Sequence, residues 1–168
     1  EIYTLKKNNF TIFNLSDNDT KQQMVNNKIS SSLKEEVLRK LPDNYQFLDY
    51  SYEIKNSSLY TFHRDVTSSK KFQKLKYKSY TLIIYFNKGK HLSICPNSIN
   101  SIFFIPKPQT IVGNSGQCIL FDSDIVHAAA IDKTTERYCK QYKICHIDDL
   151  NKLKHLQDQH IKKEETIR

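Results

Sequence analysis

Ser79-Tyr80-Thr81-Leu82-Ile83-Ile84-Tyr85-Phe86-Asn87 is a run of β-branched and aromatic residues set in a series of similar runs. The same texture recurs at 45–55, 58–65, 91–95, 101–105, 109–112, 117–121, 126–130 and 137–147, with turn-like residues between runs. Many short strands at this spacing, with no helices between them, predict a sandwich or barrel rather than a parallel α/β sheet. The two flanks read differently. Ser32-Leu33-Lys34-Glu35 has the spacing of a capping box, and Leu33, Val37, Leu38 and Leu41 then form an apolar stripe that ends at Pro42. A weaker helix is expected from Asp19 to Ile29. Toward the other end, Leu150, Leu153, Leu156 and Ile161 predict a helix from Asp148 to about Glu165. The expected fold is therefore mainly β with flanking helices, a jelly-roll supported at both chain ends. It has a helical front over 16–42, a β core over about 45–147 and a C-terminal helix over about 148–165. No repeat or linker divides the 168 residues, so one domain is expected.

Composition narrows the setting. The chain is 38% hydrophobic and 26% charged, and no apolar run approaches the length needed to cross a bilayer. Glu1 to Phe10 lack the charged-then-apolar pattern of a signal peptide, and the absence of an initiator Met leaves an upstream segment open. Cys95, Cys118, Cys139 and Cys145 contain no C-x-x-C pair and lie in apolar, strand-like surroundings. Reduced, structural thiols are expected there, which favours an intracellular, cytoplasmic setting. The net charge is +8, and of the 26 basic residues only Arg39, Arg64, Arg137 and Arg168 are arginine. That excess describes either a solvated lysine surface or a surface that attracts anions.

The chemistry-bearing motif is His63-Arg64-Asp65, joined much later by His127. In an extended chain residues i and i+2 point the same way, so His63 and Asp65 present an imidazole and a carboxylate together. A second imidazole from a distant strand completes a two-His, one-carboxylate triad, the ligand set of non-haem Fe(II) oxygenases. H-x-D alone carries little; its surroundings carry more. Asp65 ends the apolar run Leu59-Tyr60-Thr61-Phe62-His63, and His127 follows Cys118-Ile119-Leu120-Phe121 and the turn-like Asp122-Ser123-Asp124. Arg137 lies ten residues beyond His127 at the start of a strand, and Arg is shaped for a bidentate grip on a carboxylate.

In these residues the sequence resembles the Fe(II)/2-oxoglutarate-dependent dioxygenases, whose double-stranded β-helix carries H-x-D…H with a basic residue about ten positions on. The resemblance runs from about Tyr45 to Asp148 and is nearest the prolyl-hydroxylase-like branch. Thr81-Leu82-Ile83-Ile84-Tyr85-Phe86-Asn87 looks like that branch's strand after the H-x-D loop, where a Tyr helps bind the far carboxylate of 2-oxoglutarate. Gly89-Lys90-His91-Leu92 is similar to its G-G-x-L turn, with one glycine in place of two. Leu92-Ser93-Ile94-Cys95-Pro96-Asn97-Ser98 is similar to a stretch of the phytanoyl-CoA hydroxylase branch, without its Gly and His. Ala129 stands where that branch has a hydroxyl residue. DNA-repair dealkylases and taurine-type enzymes place the arginine farther from the second His.

The resemblance implies Fe(II) held by His63, Asp65 and His127, 2-oxoglutarate held by Arg137 and Tyr85, and O₂ as oxidant. The reaction implied is oxidative decarboxylation of 2-oxoglutarate coupled to hydroxylation of a C–H bond. Lys133 or Lys140 replaces Arg137 if the strand starts elsewhere. By strand parity Arg137, Cys139, Gln141 and Lys143 share a face, which puts Gln141 and Lys143 on the pocket. Tyr60 turns away from His63 by the same parity, and His91, His146, His155 and His160 are expected to be exposed or capping. The acceptor substrate stays open between a peptide side chain or protein and an anionic small molecule, with no membrane partner. The segment Ser68 to Lys78, rich in lysine with Phe72, Leu75 and Tyr77 interleaved, is either a substrate lid or a solvated loop. Two rival readings remain: a basic β-sandwich module for nucleic acid or another polyanion, and a cupin-like metal enzyme indifferent to 2-oxoglutarate.

Overall fold

The computed structural model describes residues 2–56, 61–68, 72–100, 107–132 and 136–164. Two sheets face one another across a core. The larger sheet runs in the order β1 (Phe10–Asn14), β7 (Gln117–Asp122), β4 (Tyr80–Tyr85), β9 (Tyr138–His146), β3 (Tyr50–Lys55) and β10 (Gln159–Glu164), with β2 (Tyr45–Phe47) also paired to β9. The smaller sheet runs β6 (Gln109–Gly113), β5 (Gly89–Cys95) and β8 (Val126–Ala129). Every pairing between these strands is antiparallel except β3 with β10.

Period-two alternation sorts the central strands onto two cores. On β4, Tyr80, Leu82 and Ile84 face outward with Cys118, Leu120, Tyr142 and Ile144, and there they meet Leu5, Ile29, Leu33, Val37 and Leu41 of the helical front. Ile83, Tyr85, Ile119, Phe121 and Cys139 face inward and meet Leu92, Ile94 and Ile111 from the smaller sheet and Ile125 from the turn before β8. Both faces are covered, so β4 and β7 are buried at every position. Such strands read as continuous apolar runs rather than alternating ones, as the 80–85 stretch does.

The helical front is larger than the sequence suggests. α1 (Ile2–Asn8) and β1 precede α2 (Asp17–Val25) and α3 (Ser31–Arg39). α3 is capped by Ser30, whose hydroxyl accepts from Leu33 N, so the cap lies two residues before the expected Ser32. The run expected at 45–55 is broken into β2 and β3. Of the run expected at 58–65, only His63 pairs, through a single bridge, among the described residues, and the run at 101–105 lies outside them.

The C-terminal helix over 148–165 is corrected. A 3₁₀ segment, Ile147–Leu156, is followed by a turn with Asp158 at φ 60° and then by β10. Leu150, Leu153 and Leu156 recur every three residues, which is the 3₁₀ period, so one face carries all three against Leu48, Tyr50 and Cys145. Beyond the turn, Ile161 belongs to a strand in parallel register with Tyr52.

This segment also fixes residues 74–77. The buried Asp149 carboxylate accepts from Lys76 N and Tyr77 N, both at 2.9 Å, and Tyr77 stacks on His146 at 3.7 Å. Lys152 donates to Lys74 O and Tyr45 donates to Lys78 O. Asp149→Ala is expected to cost about 2–3 kcal/mol in urea unfolding, because two donors lose a charged acceptor. A loss under about 0.5 kcal/mol, within ordinary surface variation, would show that the anchor is idle. No helix among the described residues is long and apolar enough to cross a membrane.

Candidate metal centre

His63 and His127 exchange both backbone hydrogen bonds, His63 N to His127 O at 2.9 Å and His127 N to His63 O at 3.0 Å. This antiparallel bridge sets their rings side by side with centroids 4.4 Å apart. The loop bearing Asp65 is clamped onto the turn that precedes His127. Asp65 N donates to Ser123 O, Thr67 Oγ1 to Ser123 Oγ, and Ser68 Oγ to Asp124 Oδ1. Arg64, the middle residue of the motif, donates to Asp124 O at 2.9 Å and to Ser98 O at 2.7 Å. The guanidinium thus ties the H-x-D loop to two other segments. Sequence pattern gave that residue no role.

Ligand atoms of His63, Asp65 and His127 lie within 4.8 Å of one another. Asp65 Oδ1 is 3.0 Å from His127 Nε2 and 3.9 Å from His63 Nε2. Each ring's Nδ1 meets a backbone carbonyl, Thr61 O at 2.8 Å and Ile125 O at 3.0 Å. A carbonyl only accepts, so each Nδ1 carries a proton, and in the neutral ring that leaves Nε2 with its lone pair turned inward. Burial holds His63 below its ordinary value, so its neutral form prevails. Burial alone would raise the Asp65 carboxyl, but the Lys143 ammonium brings it well below the usual carboxylate range. Two lone pairs and an anionic oxygen thus converge on one point. A cation between them relieves the repulsion, and this donor set suits iron.

The cavity beside this cluster has a volume of about 250 Å³. Its floor follows the register of the larger sheet: Tyr85 beside Cys139 beside Ile54, Ile83 beside Gln141 beside Tyr52, and Thr81 beside Lys143. Arg137, Tyr85, Gln141 and Lys143 all line it together with the triad. Arg137 donates from Nη1 to His91 O at 2.8 Å and from Nη2 to Ala130 O. Its buried Nε has no partner among the described residues. Tyr85 is 1% exposed and stacks on His91 at 4.1 Å, and burial pushes its phenol well above the ordinary value. Tyr85 is therefore a proton-bearing donor.

Of the alternatives to Arg137, the structure removes Lys140. Lys140 points away from the cavity and donates to Gln23 O, Met24 O and Asn26 O beside α2, while Lys133 lies outside the described residues. Tyr60 lies outside them too. His91, expected to be exposed, is fully buried between Gln117 Oε1 and Asn87 O at 2.6 Å each, a position no local pattern reveals. His146 caps the 3₁₀ segment by accepting from Asp148 N. None of the described residues of 68–78 lines the cavity, so the lid expectation gains no support from Lys74, Lys76 or Lys78. Lys70 and Lys71 lie outside the described residues. Tyr50, Tyr52 and Lys163 also line the cavity, and sequence reasoning missed all three. Parity along β3 would have grouped the tyrosines, but β10 was read as helix.

No family model matches the sequence, and no curated protein matches it. Solved structures do match the fold. ThoJ, a non-heme monooxygenase solved as its nickel complex, has a TM-score of 0.65 at 10% identity, covering 87% of this chain and 77% of its own. HygX from Streptomyces hygroscopicus, with nickel and 2-oxoglutarate bound, has a TM-score of 0.64 at 12% identity, covering 87% and 85%. SnoN, a non-heme alpha ketoglutarate dependent epimerase from nogalamycin biosynthesis, has a TM-score of 0.61 at 11% identity, covering 86% and 80%. The chain shares the fold of these structures, a double-stranded β-helix.

Proposed function

We propose that this chain is a non-haem Fe(II) oxygenase that couples oxidative decarboxylation of 2-oxoglutarate, to succinate and CO₂, with hydroxylation of an organic acceptor. One observation carries the reading: three buried or half-buried acceptor atoms, each oriented by its own outer hydrogen bonds, converge on one point at the wall of a cavity that ends in an arginine. His63, Asp65 and His127 hold the iron. Arg137 holds the far carboxylate of 2-oxoglutarate with help from Tyr85, as in the prolyl-hydroxylase-like pattern that the 81–87 strand resembles. Gln141 borders the same space. Bound iron with 2-oxoglutarate and O₂ supplies the oxidising power; the protein fixes geometry and limits water. The occurrence of nickel and 2-oxoglutarate in HygX supports the cofactor set.

The acceptor class follows from charge. The lining carries Arg64, Arg137, Lys143 and the exposed Lys163 against the single carboxylate of Asp65. An anionic small molecule suits that balance better than an uncharged peptide side chain. The test of the reaction is succinate release from 2-oxoglutarate under air, with and without Fe(II). Iron-dependent release is expected even without acceptor, and its absence at saturating 2-oxoglutarate overturns the reading.

Tyr85→Phe deletes one hydrogen bond to a charged group, worth about 1.5 kcal/mol. The half-saturating 2-oxoglutarate concentration should then rise roughly tenfold, with the iron requirement unchanged. An unchanged half-saturation would take the Tyr85 hydroxyl out of the site.

A further inference from the structure

Behind the triad, on the side away from the histidines, lies a buried cation that the proposed reaction does not by itself require. Lys143 is 3% exposed, and its ammonium donates to Asp65 Oδ2 at 2.8 Å and to Thr81 Oγ1 at 3.1 Å. Thr81, its cross-strand neighbour, is fully buried and donates to the same Oδ2. Oδ1 is left facing both histidine Nε2 atoms. We propose that Lys143 is a positioning residue that acts on the metal through Asp65: by occupying Oδ2 it restricts the carboxylate to one ligand oxygen and shares its charge with the metal.

This inference rests on the metal reading above and deepens it. A lysine is an expensive way to fill this space. An apolar side chain of similar length fills it without desolvating an ammonium, and Thr81 alone already gives Oδ2 a donor. A buried ammonium adds two things that packing does not. It is a second cation on one carboxylate, so it competes with a divalent metal for the same charge. It also adds a second, charged donor to Thr81's on the oxygen that must turn toward the metal to make the ligand bidentate. A carboxylate bound through one oxygen leaves three positions of an octahedral metal open, and one bound through both leaves two.

Both effects run the same way when the ammonium is removed. In Lys143→Met the metal should bind more tightly, while a chelating keto acid finds less room. Removal of a residue that serves only packing would leave metal affinity unchanged or reduce it.

The experiment is calorimetric titration of the metal-free chain with Co(II), then of the Co(II)-loaded chain with 2-oxoglutarate, for the parent and three variants. Lys143→Met and Lys143→Gln should bind Co(II) about tenfold more tightly or better, since an uncompensated buried carboxylate gains most from the metal. Lys143→Met should also bind 2-oxoglutarate about tenfold more weakly. Lys143→Arg keeps the cation and should return Co(II) affinity toward the parent value. Lys143→Gln retains an N–H for Oδ2 and carries the same Co(II) expectation if the Met variant does not fold. Variants that bind Co(II) within twofold of a binding parent, or more weakly, overturn this role alone. A parent that binds no Co(II) overturns the metal reading and this role with it.

Discussion

His127→Ala is expected to abolish divalent metal binding, and with it all succinate release, while the chain stays folded. The ring supplies one of the triad's two imidazoles, and its Nε2 stands 3.0 Å from Asp65 Oδ1. Even residues that only orient a metal ligand are worth about 10–100-fold in metal affinity, so removing a ligand should cost more than about 100-fold. The bridge to His63 is made by backbone atoms on both sides and survives the substitution. Far-ultraviolet circular dichroism should therefore match the parent, although loss of the ring contact with Phe121 lowers the melting temperature somewhat. His63→Ala should behave alike with a smaller stability cost, because His63 is 30% exposed. Parent-like Co(II) affinity in both variants would show that the triad is not the site.

Arg137→Ala should raise the half-saturating 2-oxoglutarate concentration by roughly 10²–10⁴-fold and leave the Fe(II) requirement almost unchanged. Deleting one partner of a buried charge pair costs about 3–5 kcal/mol, and each 1.36 kcal/mol is about tenfold. The guanidinium is fixed before any ligand arrives, by His91 O on one side and Ala130 O on the other. Little ordering is left to be done on binding, which is why the effect should exceed that of Tyr85→Phe. The two carbonyls lose their donor as well, so a modest loss of thermal stability accompanies the change. Titrations of 2-oxoglutarate and of Fe(II), each with the other saturating, separate the two requirements. Indifference to Arg137 would instead favour a metal enzyme that does not use 2-oxoglutarate.

How far the sequence leads depends on whether a feature is local. The strands of the core were legible because Leu82, Ile83 and Ile84, or Ile119 and Leu120, have apolar neighbours on both faces, and such runs stand out in any window. His63, Asp65, His127 and Arg137 were legible through spacing and resemblance, and the structure brings all four to one cavity. The C-terminal segment misled because Leu150, Leu153 and Leu156 fit helical and 3₁₀ periods almost equally over two turns. Only its packing against Tyr50 and the turn at Asp158 decide between them. Long-range partners left no trace at all. The clamp of Arg64 on Ser98 and the grip of Asp149 on the 76–77 backbone join residues 34 and more than 70 positions apart, and nothing near either partner marks it. Lys143 was placed on the pocket face by parity, but its bond to Asp65 needed the β4–β9 register.

The central claim is that one metal sits between His63, Asp65 and His127, with 2-oxoglutarate reaching from it to Arg137. A crystal structure grown with Co(II) and 2-oxoglutarate, with data collected at the cobalt absorption edge, tests it most directly. One anomalous peak is predicted at about 2.0–2.2 Å from His63 Nε2, His127 Nε2 and Asp65 Oδ1, with the far carboxylate of 2-oxoglutarate paired to the Arg137 guanidinium. A metal peak bound elsewhere, or a vacant triad in crystals that hold cobalt, would contradict it.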